Sequence, residues 1–168
     1  MSYYIIIRGP LGSGKSSVAA ELSRMLKAEL ISIDAVLEAN GLEDDIEEGY
    51  ISQRSFIRAN ELMAQGAEAL MDSGTPVIFD GNFYWRSQLE DLIRRLRHEG
   101  YVFTLKAGLD VCISRDWERK SPHGAVATKA VYSKSTSFEY GVGIDANGEL
   151  AEVVASILTF IHGRNQKP

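Results

Sequence analysis

The residues richest in chemistry form one short run, Gly9-Pro10-Leu11-Gly12-Ser13-Gly14-Lys15-Ser16, followed by Ser17. It fits G-x-x-x-x-G-K-[ST], a pattern whose glycines let consecutive backbone N–H groups turn inward on phosphate oxygens. The β-branched and aromatic run Tyr3–Ile7 precedes it, and Lys15–Lys27 follows with Val18, Leu22 and Met25–Leu26 at helical spacing. A strand before and a helix after is the context the pattern requires, because the helix N-terminus adds partial positive charge to the loop. In this reading Gly9 to Ser17 cradle a nucleoside triphosphate, Lys15 bridges its β- and γ-phosphates, and Ser16 holds Mg²⁺.

Two carboxylates follow strands. Asp34 comes directly after Leu30–Ile33, and Asp80 closes Val77–Phe79. Ligands of doubly wound sheets sit at the carboxyl ends of the strands, so both acids are expected at the same crevice as the glycine-rich loop. Asp34 there would take the proton of an attacking hydroxyl and contact the acceptor, unless it only caps a helix. Asp80 would assist the metal or touch the substrate, against the plainer reading of a turn residue before Gly81.

Basic and aromatic residues complete the candidates. Arg115 and Arg119 share a helical face and lead into Ser121-Pro122-His123-Gly124, so the region near 115–128 reads as a lid that brings charge to a transferring phosphoryl group. Arg115 is also a candidate nucleotide contact. Arg54 and Arg58 are four apart on a long helix and would grip an anionic substrate, or else pair with Glu61 and the acidic loop. Phe83, in Phe83-Tyr84-Trp85, would stack on a ring-bearing substrate or pack in the core. His98, His123 and His162 have no metal-ligand spacing.

The positioning elements alternate. The long helix Ser52–Asp72, the amphipathic helix Arg86–Glu99 stopped by Gly100, the strand Tyr101–Leu105, the helices Asp110–Arg119 and Ala125–Lys134, a short strand or loop at Phe138–Ile144 and the helix Glu149–His162 follow the first two strand–helix units. Residues 35–50 read as a helical turn and an acidic loop with Glu43, Asp44, Asp45, Glu47 and Glu48. This order implies an α/β fold, a doubly wound parallel sheet of the P-loop NTPase type, in a single domain over 1–168 with a polar, frayed tail at Gly163–Pro168.

Composition restricts the partners. A chain of 168 residues with 45% hydrophobic and 24% charged residues is globular. Its net charge of -5 and pI near 5.2 weigh against a nucleic-acid track. Cys112 is the only cysteine, which excludes an internal disulfide and a cysteine zinc cluster. No run approaches a membrane span and no secretory leader is visible, so a cytoplasmic monomer or homodimer is expected. The absence of an N-K-x-D motif sets GTPases aside.

With these residues in view, the chain resembles the small P-loop kinases. That group includes chloramphenicol phosphotransferase, adenylylsulfate kinase, gluconate and shikimate kinases, and the kinase domain of polynucleotide kinase. The resemblance rests on the loop with Lys15 and Ser16, on Asp34, and on Val111-Cys112-Ile113-Ser114-Arg115-Asp116. Chloramphenicol phosphotransferase is similar around Ile33-Asp34-Ala35-Val36-Leu37-Glu38-Ala39, where its aspartate acts as base toward a hydroxyl. Adenylylsulfate kinase is similar at Cys112–Asp116 and at Gly143-Ile144-Asp145, which implies that Gly143–Asn147 line the adenine site. The D-G-D-N-x-R stretch of adenylylsulfate kinases and the G-G-G turn of shikimate kinases are replaced here by Asp34–Ala39 and Asp80-Gly81-Asn82. The resemblance implies ATP and Mg²⁺ and transfer of the γ-phosphoryl group to a hydroxyl of a small molecule. The alternatives are a 5′-hydroxyl polynucleotide kinase and a non-catalytic ATP-binding regulatory module.

Overall fold

The computed structural model describes residues 2–164. Its elements are β1 (Tyr3–Arg8), α1 (Lys15–Leu26), β2 (Glu29–Ser32), α2 (Ile33–Ala39), β3 (Ile46–Glu47), β4 (Tyr50–Ile51), α3 (Gln53–Asp72), β5 (Val77–Asp80), α4 (Arg86–Arg95), β6 (Glu99–Lys106), α5 (Leu109–Trp117), α6 (Ala125–Ser135), β7 (Val142–Asp145) and α7 (Leu150–Arg164). Five strands form one parallel sheet in the order β2-β5-β1-β6-β7. β1 is central and apolar on both sides because side chains alternate across a strand. Ile5 and Ile7 pack with Val18 and Leu22 of α1 and Val153 and Ile157 of α7. Tyr4 and Ile6 pack with Phe56 and Met63 of α3 and Leu89 and Leu92 of α4. The doubly wound α/β fold expected from the alternation is therefore the fold observed.

Boundaries moved where side chains competed with periodicity. The second strand is Glu29–Ser32, not Leu30–Ile33, because the Ser32 hydroxyl accepts from the Ala35 N–H at 3.2 Å and starts a helix at Ile33. Ser32, and not Asp34, is thus the cap. The acidic loop contains an antiparallel hairpin, with Glu47 opposite Tyr50 and a two-residue turn in which Glu48 and Gly49 both have positive φ.

The fourth helix stops at Arg95, well before Gly100. Glu68 on α3 takes hydrogen bonds from the Arg97 N–H at 2.9 Å and from Arg97 Nε at 2.5 Å, which pulls the chain out of the helix. Gly100 is no helix stop. It pairs with Tyr4 inside the sheet, and a Cβ there would lie 2.0 Å from the Tyr4 ring. The fifth sheet strand is Val142–Asp145. Of the tail expected to fray, Gly163 and Arg164 still belong to α7, and the remainder lies outside the described residues.

Candidate active site

The loop between β1 and α1 is built for an anion. Gly14 stands at the helix N-cap in the left-handed region, and no acidic residue occupies the first turn of α1 to neutralise its dipole. Gly12 has φ +79, and a Cβ on it would meet the Cys112 carbonyl oxygen at 2.2 Å. The backbone of α5 therefore touches the loop where only glycine fits. Gly12→Ala is expected to destabilise the fold by at least about 1–2 kcal/mol from the backbone conformation alone. The shift of the urea midpoint measures it.

Lys15 is only 8% exposed and donates from Nζ to the Pro10 carbonyl at 3.1 Å, folding back over the loop. Burial pushes its pKa down, while the charges of Asp80 and Asp34 oppose that shift. Ser16 and Ser17 stay exposed at the helix start.

Asp34 and Asp80 line the same cleft as Lys15, a cavity of about 540 Å³. Asp80 closes β5 between Ile7 and Ser32 on its two neighbouring strands, is 7% exposed, and leaves Oδ1 buried without a partner. An unsatisfied carboxylate oxygen beside a phosphate loop suits a hydrated Mg²⁺. Among the described residues no group of three or more His, Cys, Asp or Glu is placed to hold a metal by itself. Mg²⁺ does not require one, since it keeps waters and takes the rest from one or two protein oxygens and phosphates. Ser16 and Asp80 fit that role.

Asp34 opens to solvent through the cleft but is enclosed by protein on its other sides. This burial raises its pKa, Lys15 and an Asn82 hydrogen bond pull it back, and the charges of Asp80 and Glu43 raise it further. Asn82 reaches Asp34 Oδ2 from Nδ2 at 3.4 Å. Its backbone carbonyl accepts from the fully buried Gln88, whose own carbonyl accepts from Asn60. The Asp34 carboxylate is thus oriented from two helices of the core.

The lid arginines separate. Arg115 spends its guanidinium on three carbonyls of the loop before α7: Ala146 at 2.7 Å, Asn147 at 3.2 Å and Gly148 at 2.9 Å. Its Nη1 also stands 3.5 Å from the Ser13 carbonyl of the phosphate loop, so in this structure it fixes a cleft wall beside the loop. Arg119 lines the cleft half-exposed, 3.8 Å from Asp116.

The segment implied to lie near a nucleotide base is displaced slightly. Ala146 and Asn147 line the cleft with Gly148 and Glu149, whereas Gly143 and Ile144 belong to β7.

Three candidates are not brought to the cleft. Arg54 is 86% exposed and pairs with Asp45 at 3.0 Å, and Arg58 pairs with Glu61 at 2.8 Å. Helix α3 turns that face to the hairpin and to solvent. Phe83 is 1% exposed within the core of α3 and α4, so its ring has no face left for a ligand.

Two buried charged residues hold the surroundings of the cleft in ways the sequence does not show. Asp116, almost fully buried, accepts from the backbone N–H groups of His123 at 3.0 Å and Gly124 at 2.9 Å and contacts His123 Nδ1 at 3.0 Å. Burial raises its pKa, but the hydrogen bonds of His123 and Gly124 outweigh this and hold it below the usual carboxylate range. Its contribution to stability is present above the unfolded carboxyl pKa and is lost as pH falls through the lower folded value. Asp116→Ala is expected to cost about 1–3 kcal/mol by orphaning these donors, and its destabilisation relative to the parent should shrink in acid.

Arg8, directly before the phosphate loop, is fully buried. It donates to Thr104 Oγ1 at 3.0 Å and to the Ser135 carbonyl at 2.8 Å, and it lies 4.2 Å from the centre of the Phe138 ring. Burial pulls its pKa down to about 10, so it stays charged at neutral pH.

The profile of the AAA domain family matches residues 5–138. The chain belongs to this family. Among solved structures, this AAA domain protein superposes on a sugar kinase from Janibacter sp. HTCC2649 with a TM-score of 0.75 at 16% identity, covering 96% of this chain and 95% of that one. A gluconokinase from Sinorhizobium meliloti 1021 gives 0.67 at 19% identity over 98% and 97%. The Mycobacterium tuberculosis APS kinase CysC, solved with AMPPNP and APS, gives 0.74 at 17% identity over 96% and 98%. At these identities the likeness establishes the fold, that of the small P-loop kinases. Among the described residues no helix is long and apolar enough to cross a membrane.

Proposed function

We propose that this protein is a phosphotransferase that moves the γ-phosphoryl group of ATP, with Mg²⁺, to a hydroxyl of a small molecule. The observation that carries the reading is the convergence of Lys15, Asp80 and Asp34 on one cleft. A nucleotide switch has no need of a carboxylate poised at the acceptor side, whereas a transferase does.

The loop amides and Lys15 hold the phosphates, and Arg119 lies close enough to lower the Lys15 pKa through its own charge. Ser16 and Asp80 would hold Mg²⁺, which would supply positive charge against the phosphates. Asp34, oriented by Asn82, accepts the proton as the acceptor oxygen attacks the γ-phosphorus and the bond to the ADP oxygen breaks. Arg115 holds the Ala146–Gly148 wall that borders the nucleotide.

The test is ADP release with ATP and Mg²⁺ against aminoglycosides, chloramphenicol-like alcohols, sugar acids, nucleosides and a 5′-hydroxyl oligonucleotide. Stimulation by a small hydroxyl compound is expected. Stimulation by the oligonucleotide alone would make the protein an end kinase. ATP binding with no stimulated release by any acceptor would make it a regulatory module.

A further inference from the structure

We propose, resting on the transferase reading above, that the acceptor is an uncharged or cationic hydroxyl compound, such as a polyol or amino alcohol, and not a carboxylate or phosphate ester. The acceptor end of the cleft presents Asp34, Asn82 and Asp80, and the basic side chains on the flanking elements are held elsewhere.

An acceptor bearing a carboxylate or phosphate is normally met by an arginine fork or a lysine. On α3, Arg54 is tied to Asp45 at 3.0 Å and Arg58 to Glu61 at 2.8 Å. At the start of α4, Arg86 donates to the Glu139 carbonyl at 3.2 Å and lies over the Phe138 ring. On α6, Lys134 pairs with Glu48 at 2.9 Å and sits 3.5 Å from the centre of the Trp85 ring. Lys15 serves the phosphates, and the guanidinium of Arg115 is filled by backbone carbonyls. Arg119 and His123 remain in the cleft lining, Arg119 near enough for its charge to act on Lys15 and His123 paired with Asp116 at 3.0 Å.

The opposite sign collects at Asp34. Asp34 and Asn82 line the cleft, and the charge of Glu43 reaches Asp34 from the loop after α2. Asp80 is committed to the metal and Lys15 to the phosphates, so an anionic acceptor would meet Asp34 with no cation left to pair it, and like charges brought together at a binding surface are strongly discriminated against. An amine or a bare hydroxyl would not be.

Three scaffolds, each offered in three charge forms, test this. They are gluconate, sorbitol and glucamine; glucuronate, glucose and glucosamine; glycerate, glycerol and serinol. ADP release with ATP and Mg²⁺ gives kcat/KM for each, and titration with AMPPNP reports nucleotide binding separately. The neutral or amino member of a productive set is expected to exceed its carboxylate by at least about tenfold. Glu43→Lys is expected to narrow that ratio by bringing a cation toward Asp34. A carboxylate preferred or equal in a productive set, or an unchanged ratio in Glu43→Lys, overturns the charge assignment and leaves the transferase standing. AMPPNP binding with no release from any set or from any acceptor of the wider panel overturns the transferase reading, and this inference with it.

Discussion

Asp34→Asn is expected to lower acceptor-stimulated ADP release by about 10²- to 10⁴-fold, the usual worth of a positioned general base. ATP affinity should scarcely change, because the Asn side chain fills the same space and Asp34 is not part of the phosphate loop. The pH profile separates this role from simple polarity. Asp34 must be ionised to take a proton, so activity falls on the acid side. Burial raises its pKa, so that limb of kcat/KM lies above the ordinary aspartate range. The limb should vanish in Asp34→Asn. In Glu43→Gln it should move to lower pH, since one neighbouring negative charge is removed. A parent profile flat down to the ordinary carboxyl range would show that Asp34 takes no proton.

Lys15→Ala is the second large effect. It removes the one buried cation aimed at the phosphates, and losses of about 10²- to 10³-fold in kcat accompany removal of a single such donor. Triphosphate binding should weaken as well, read by titration with AMPPNP. Stability should move the other way. Lys15 is desolvated and donates only to the Pro10 carbonyl, so the unliganded variant is expected to melt no lower than the parent. A variant that turned over normally would detach the loop from phosphate binding. A variant that melted much lower would make Lys15 a structural residue.

Much of this arrangement is visible in the chain itself. The glycine loop is legible because its residue types, spacing and flanking elements all agree, and Asp80 is legible because an apolar strand points it at the cleft. Asp34 lines the cleft from the first turn of α2, one residue past the expected junction, and the cap belongs to Ser32, two residues earlier, where hydroxyl and carboxylate candidates compete. The hairpin at Ile46–Ile51 was hidden because Glu48-Gly49 is a weaker turn signal than Asn-Gly, and because each strand has only two residues.

Helical spacing placed Arg54 and Arg58 on one face without saying which way the face turns. That direction is set by burial of Phe56, Ala59 and Met63 against the sheet. Phe83 has the type of a ligand residue, but the core of α3 and α4 claims it. Arg115 does line the cleft, where the carbonyls of Ala146–Gly148 take up its guanidinium, a partnership that helical spacing does not show. Asn82 and Arg8 act through partners far along the chain, Asp34 for the first and Thr104 and Ser135 for the second, which no local pattern reveals.

Buried charges pin α6 at both ends. The guanidinium of Arg8 holds the Ser135 carbonyl and the Phe138 ring, which fixes one end to the strand that carries the phosphate loop. The carboxylate of Asp116 holds the N–H groups of His123 and Gly124 at the other. Freeing either end would strand a buried charge, so α6 is a strut between the phosphate-loop strand and α5. Probes placed at Ala125 and Ser135 would register displacements of similar size when nucleotide binds.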